Sequence, residues 1–161
     1  MKHGTTRRHV RGGLAATVAA PAILTATRAY AADPTIRVGF VTPSIGPLAG
    51  FAEAEDYILE GLRAKFAGGV TNNGKSYNIE IIKKDGQTSP NRAAEVATEL
   101  ILSDEVDIIT AAATPDTTSP VADQAEINEV PCVTTDAPWQ PYFFGRGGNP
   151  AEGFLYTYHF F

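Results

Sequence analysis

Residues 35–66, TIRVGFVTPSIGPLAGFAEAEDYILEGLRAKF, pass from a strand pattern through a loop pattern to a helix pattern. Positions 35–41 alternate and are rich in β-branched residues, which is typical of a strand. Positions 42–48 are punctuated by proline and glycine, as loops are. From Leu48 to Phe66 the apolar residues fall three or four positions apart, which predicts a helix with one apolar face. A strand, a loop and a helix are therefore predicted in that order.

The same order repeats along the chain. Ser89-Pro90 and Ser119-Pro120 each supply a capping serine and a proline for the first helical position, so a helix is predicted from each, the second running to about Asn128. Residues 135–153 show no periodicity and are predicted to be irregular. The further strands are predicted at 77–82, 106–110, 131–134 and 154–160.

Strands that alternate with helices predict one α/β architecture. It is an open, mostly parallel, doubly wound sheet flanked by helices. Ligands of such sheets bind beyond the carboxyl ends of the strands, at the point where the strand order reverses. Here those ends are the loops 42–48, 84–89, 111–118 and 134–140.

The first two candidate contacts are hydroxyl residues in these loops. Ser44 lies in the loop after the first strand, which lacks the glycine spacing of a dinucleotide fold or a P-loop, so nucleotide binding is disfavoured. Thr114 follows three alanines, whose small side chains let a ligand approach the backbone. Its hydroxyl and the amides at a helix start can hold a carboxylate. Ser119 is interpreted as a helix cap.

Two more candidates follow the fourth strand. Asp136 can accept a ligand ammonium group, and Trp139 can flank an apolar group. A turn-forming role for Asp136 and a rim or core position for Trp139 are equally open interpretations.

Catalytic patterns are weak. His159 alternates within an apolar strand, and Cys132 lies in an apolar strand without an activating partner nearby in sequence, so both are interpreted as structural. No metal-ligand spacing occurs in the sequence. We expect no enzyme activity, no cofactor and no metal.

Residues 1–31 have the pattern of an export signal peptide. A basic start precedes an apolar run from Leu14 to Ala26, shorter than the roughly 20 residues of a bilayer span. Arg7-Arg8 is typical of a twin-arginine signal, and Ala29-Tyr30-Ala31 has the small–x–small pattern of a cleavage site. We expect cleavage near Ala31 and a soluble periplasmic product, with an amphipathic anchor as the alternative interpretation.

The composition of the 161-residue chain narrows the classes of partner. Beyond the proposed signal, 8 basic and 18 acidic side chains leave a net charge of about −10. Such a surface disfavours nucleic acid, which needs clustered Lys and Arg. No later apolar stretch is long enough for a membrane span. Cys132 is the single cysteine, so an intramolecular disulfide is impossible.

The ordered set of segments resembles type I periplasmic solute-binding proteins, the branched-chain amino-acid receptor family of ABC importers. The opening at 36–66 has the strand, T-P-x-x-G-P-L loop and helix of that family. The segments KKDGQTSPNRAAEVATELI and VDIITAAATPDTTSPVADQAEINEVPCVTTDAP follow in the family's order, and so does the aromatic strand at 154–161. The resemblance covers nearly all of the chain from Ile36 onward.

The resemblance implies a function and a set of contacts. It implies a non-enzymatic receptor that closes two lobes around an amino acid, an amide or a carboxylate and delivers it to an ABC permease in the inner membrane. First-lobe contacts map onto Ala113, Thr114 and Thr135, with Asp136 or Ala137 beside them. Relatives have small or hydroxyl residues where this chain has Pro115 and Asp116.

The resemblance also implies a domain organisation, with a signal peptide at 1–31 and an incomplete N-terminal lobe at 32–161. In the family, late segments return from the second lobe to complete the first, so a truncated chain is expected. Two other functions stay open at this point. They are a periplasmic sensing module for a membrane receptor and, less favoured, an exported α/β enzyme.

Overall fold

The structure, a computed structural model, describes residues 33–160. The signal segment expected at 1–31, its twin-arginine pair and its cleavage position lie outside the described residues. The strands are β1 Thr35–Thr42, β2 Val70–Asn72, β3 Lys75–Asp85, β4 Ile108–Ala111, β5 Cys132–Thr135 and β6 Thr157–Phe160. The α-helices are α1 Glu55–Lys65, α2 Pro90–Leu102, α3 Pro115–Ile127 and α4 Trp139–Gly145, and a 3-10 helix spans Ala49–Ala52.

The strands form one six-stranded sheet in the order β2-β3-β1-β4-β5-β6. All neighbours are parallel except β2 and β3, which form an antiparallel pair. The central strand β1 pairs with β3 on one side and β4 on the other, with Val38 opposite both Ile81 and Ile108. The predicted mostly parallel α/β sheet is therefore confirmed, and its order reverses at β1.

One face of the sheet is covered by α2 and α3. Val41, Ile109 and Cys132 project from the strands into a core that also holds Leu100 and Val121. Gly39 allows this contact to be close, because a Cβ at that position would lie 3.0 Å from Leu100 Cδ1. The hydrophobic core therefore lies between the sheet and these two helices.

The other face lies against α1. Side chains alternate along a strand, so Val38 and Phe40 project away from the α2–α3 core. They share a surface groove with Ile58 and Leu62 of α1. The two sides of β1 thus face different environments.

Helix α3 begins earlier than the sequence predicts. It starts at Pro115, and the predicted start at Ser119-Pro120 lies inside the helix, so that prediction is wrong. Thr114 has the extended backbone of an N-cap, with φ −103° and ψ 169°, and its carbonyl accepts the amides of Thr117 and Thr118. Two proline start signals compete here, and the first determines the helix.

The region 135–153 contains a helix where none was expected. Pro138 is the N-cap of α4, whose sequence is WQPYFFG, and Tyr142 anchors it in the core with 2% exposure. The helix is held by the tertiary contacts of one buried aromatic side chain. A helix of seven residues with a single buried position has no periodic pattern in the sequence from which it could be predicted. The last described strand is shorter than predicted, because β6 begins at Thr157.

Among the helices of residues 33–160, none is both long enough and apolar enough to span a membrane.

Candidate functional site

A groove of about 400 Å³ runs between α1 and the sheet. Its floor is apolar and includes Val38, Phe40 and Ile81, and Phe51 of the 3-10 helix lines it with half of its surface exposed. Its polar lining comes from the sheet and from α1, namely Glu55, Thr110, Thr135 and Asp136. An apolar channel with a few polar groups is the usual composition of a small-molecule site.

The structure brings most of the predicted contact residues to one edge of the sheet. Thr135 and Asp136 line the groove directly. Thr114 follows Ala112, which also lines it, but Ala113 between them is 0% exposed, so its side chain presents no surface to a ligand. Ser44 lies in the loop after β1, beside the reversal of strand order. These residues lie at the carboxyl end of β5 or in the loops after β1, β4 and β5, as the parallel topology predicts.

Ala137 and Trp139 are placed differently. Ala137 is 0% exposed, so its side chain presents no surface to a ligand. Trp139 lines a second pocket of about 450 Å³ whose walls are largely aromatic, together with Tyr158 and Phe160. Trp139 is therefore separated from the groove that holds Thr135 and Asp136.

Two of the candidate loops contain strained backbone. Ala113 has φ +100° and Asp136 has φ +69°, and each lies just beyond the carboxyl end of its strand. Positive φ is unfavourable for a residue with a Cβ, and such strain concentrates at binding and catalytic sites. Because β4 and β5 are neighbours in the sheet, both strained residues lie at the same edge.

Two hydroxyl groups at this edge are uncommitted. Ser44 Oγ and Thr114 Oγ1 are buried atoms that have no hydrogen-bond partner among residues 33–160. The backbone of each residue makes hydrogen bonds of its own: the Ser44 amide donates to Asp85 Oδ1 at 2.8 Å, and the Thr114 carbonyl accepts from Thr118 Oγ1. Buried hydroxyls normally have a partner, so both are suited to a polar ligand group.

Glu55 is a groove residue that the sequence analysis missed. Its Oε1 accepts a 2.6 Å hydrogen bond from Thr42 Oγ1, and its Oε2 lies 3.6 Å from Lys83 Nζ. Burial raises the pKa of this carboxyl, against the lowering effects of the Thr42 hydrogen bond and the Lys83 charge. The spacing of Glu55 could have indicated its position, since it lies four residues after Phe51 and four before Leu59. Residues four apart share one face of a helix, and Glu55 and Leu59 are the buried residues of α1.

The groups interpreted as structural have structural surroundings. Cys132 is 0% exposed, and burial raises the pKa of its thiol to about 12, which suppresses the nucleophilic thiolate. His159 is held by two hydrogen bonds and stacks on Tyr142. In the described part of the chain, no group of three or more His, Cys, Asp or Glu side chains could hold a metal ion.

The mostly parallel sheet, with helices on its faces and a groove at its carboxyl edge, has the architecture of one lobe of a periplasmic binding protein. The chain belongs to the periplasmic binding protein family, which it matches over residues 35–161. No curated protein sequence matches it significantly.

Several solved structures are similar to this chain. The branched-chain amino-acid transporter substrate-binding protein LivJ from Streptococcus pneumoniae, in complex with isoleucine, is 26% identical with a TM-score of 0.58, over 78% of this chain and 33% of that one. A solute-binding protein of an ABC transporter from Rhodopseudomonas palustris, in complex with 3,4-dihydroxybenzoic acid, is 25% identical with a TM-score of 0.59, over 78% and 31%.

A third structure shares the fold. The ABC transporter substrate-binding protein from Sphaerobacter thermophilus is 24% identical with a TM-score of 0.60, over 78% of this chain and 32% of its own. The chain thus spans about a third of the length of these proteins. The resemblance to periplasmic solute-binding proteins is confirmed at the level of family and fold.

Proposed function

We propose that this chain is part of the substrate-binding component of an ABC importer, which captures a small organic solute in the periplasm. The observation that carries the proposal is the carboxyl edge of the sheet. Two strained loop residues, two uncommitted hydroxyls and an apolar groove occur there together. The importer's permease is the proposed membrane partner, and export by the segment 1–31 belongs to the same proposal.

The proposed ligand is an amino acid, an amide or a carboxylate. Asp136 would accept an ammonium group, and Thr114 Oγ1 would donate to a carboxylate or carbonyl oxygen near the start of α3. Phe51 and the apolar floor of the groove would contact the ligand's hydrocarbon part. Two of the similar structures hold isoleucine and 3,4-dihydroxybenzoic acid, which combine a carboxylate with an apolar body.

One residue shifts the charge of this site. Asp116 is exposed in the first turn of α3, where its carboxylate opposes a ligand carboxylate bound at the same helix start. Asp116→Asn should therefore tighten binding of a carboxylate by a few fold, since a charge at a helix end contributes about 0.3–1 kcal/mol.

Thermal unfolding of the 161-residue chain tests the proposal. The ligand panel contains L-isoleucine, L-leucine, L-isoleucine amide and 3,4-dihydroxybenzoate. A ligand at 100 times its Kd should stabilise the folded chain by about 2.7 kcal/mol. Thr114→Ala should reduce the shift, whereas Thr71→Ala, on exposed β2 at the far edge of the sheet, should leave it unchanged. A panel without any shift, or an equal loss in both variants, would contradict the proposal.

A further inference from the structure

His159 connects β6 to the end of β5. Its Nδ1 lies 2.8 Å from Thr134 Oγ1, and its Nε2 lies 2.7 Å from the carbonyl oxygen of Ala137. Both Thr134 and Ala137 are 0% exposed. One imidazole therefore bonds both to Thr134, the penultimate residue of β5, and to Ala137, in the loop that follows β5.

The bonding partners determine which nitrogen carries the proton. A carbonyl oxygen only accepts, so Nε2–H must donate to Ala137. In the neutral ring Nδ1 then accepts from the Thr134 hydroxyl at 2.8 Å, a shorter contact than the 3.4 Å from the same hydroxyl to the Tyr158 carbonyl oxygen. The ring is also fixed in orientation, because it stacks on Tyr142 with centroids 4.3 Å apart and an interplanar angle of 23°.

The segment held by these two bonds contains the proposed ligand contacts. Thr135 and Asp136 lie between Thr134 and Ala137, and both line the groove. Asp136 has a backbone φ of +69°, in the left-handed region, and lies directly between residues that the two bonds fix. The two bonds hold the residue before this segment and the residue after it. Both bonds come from His159 on the neighbouring strand β6, not from within the loop.

We propose that His159 is a positioning residue for the ligand site, which holds Thr135 and Asp136 in their binding conformation without contacting the ligand. The proposal rests on the proposed ligand-binding function. It differs from a general structural role because the expected effect of losing the imidazole is confined to the loop 135–138 and to ligand affinity.

Three variants of the full chain test this proposal. His159→Phe keeps a ring to stack on Tyr142 and removes both hydrogen bonds. His159→Gln restores a donor near the Nε2 position and serves as the conservative rescue. Tyr158→Phe is the matched control, because Tyr158 is the adjacent residue of β6 and is 63% exposed.

The first two measurements need no ligand. Nitrogen NMR of the His159 imidazole should show protonated Nε2 and unprotonated Nδ1. Amide hydrogen exchange of residues 135–137 should be about ten- to a hundredfold faster in His159→Phe, as the loss of two hydrogen bonds predicts. His159→Gln should recover part of this protection, and Tyr158→Phe should match the wild type.

Affinity for L-isoleucine and 3,4-dihydroxybenzoate, measured well below the Tm of each variant, completes the test. His159→Phe should weaken the probe that binds by about tenfold. Unchanged exchange at residues 135–137, or a uniform increase across the whole sheet, would overturn the proposal. If neither probe binds the wild type, the proposed function fails for these ligands, while the exchange and NMR results still decide the role of His159.

Discussion

The two faces of the sheet are covered to very different degrees, although they belong to the same strands. On the α2–α3 face, Leu100, Ile109 and Val121 are 0% exposed. On the α1 face, Phe51 and Ile58 keep about half of their surface in contact with solvent. On the α2–α3 face, burial of apolar side chains stabilises the fold. On the α1 face, the partly exposed apolar side chains leave a groove that is free to bind a ligand.

The largest expected difference concerns the chemistry of Cys132 on the covered face. With its thiol pKa raised to about 12 from an ordinary 9.0, the thiolate fraction at pH 8 is about a thousandfold lower than in the unfolded chain. Iodoacetamide should therefore modify the native chain at least about a thousandfold more slowly than the denatured chain, as followed by mass spectrometry. Comparable rates in the two states would show that this face opens to solvent.

Truncating one large side chain on each face should give the next largest difference. Leu100→Ala leaves a cavity in a closed core and should lower the free energy of unfolding by about 3 kcal/mol. Ile58→Ala removes a side chain that is 53% exposed and should cost less than about 1 kcal/mol. Denaturant unfolding of both variants measures the comparison, and equal costs would contradict it.

Adding one methyl group on each face should have effects of opposite sign. In Gly39→Ala the new Cβ lies 3.0 Å from Leu100 Cδ1 and 3.4 Å from Ile109 Cγ1, so overpacking should cost about 1–3 kcal/mol. In Gly61→Ala, inside α1, the new Cβ meets no atom within 4 Å beyond its chain neighbours and the backbone of its own helix, and the better helix former should add about 0.5–1 kcal/mol. Two changes of the same sign in urea unfolding would argue against the contrast.

The smallest expected effect is a pH dependence at Glu55, on the groove side. Because burial raises its pKa in the folded chain, the folded state holds more protons than the unfolded state between the ordinary and the raised pKa. The free energy of unfolding should therefore fall as pH rises through this range. Glu55→Gln should remove that fall in urea unfolding measured at successive pH values.

Thr42→Val provides the complementary variant for Glu55. It removes the hydrogen bond that lowers the Glu55 pKa, so the fall in stability should extend to higher pH. A wild-type pH profile that is retained in Glu55→Gln would show that another group is responsible.

Much of the fold follows from local signals in the sequence. The strand over 35–41 and the helix start at Ser89-Pro90 are correct, and Ser89 does accept a hydrogen bond from the Arg92 amide. These elements agree with their own propensities and caps. The predicted start of α3 was wrong because Ser119-Pro120 and Thr114-Pro115 both pair a hydroxyl residue with a following proline. No local feature of the sequence distinguishes these two helix-start signals.

The candidate site was predictable only where topology alone determines it. The position of Thr114, Thr135 and Asp136 at one edge follows from parallel strands. The groove does not, because it depends on how far α1 covers its face. Glu55 was missed for a similar reason, since its partner Lys83 lies on a distant segment. His159 was interpreted as structural, and its bond to the Ala137 carbonyl, 22 residues away in the sequence, has no local signal.

The central position of β1 has a consequence for synthesis of the chain. β1 is synthesised before β3 and β4, the strands that flank it. The Thr110 hydroxyl, which donates a hydrogen bond to the Gly39 carbonyl, lies 71 residues further along the chain. At translation rates of about 5–20 residues per second, that interval lasts roughly 4–14 s. During it one edge of β1 is unpaired, so the strand at the centre of the finished sheet is open to pairing with another chain while the protein is still being made.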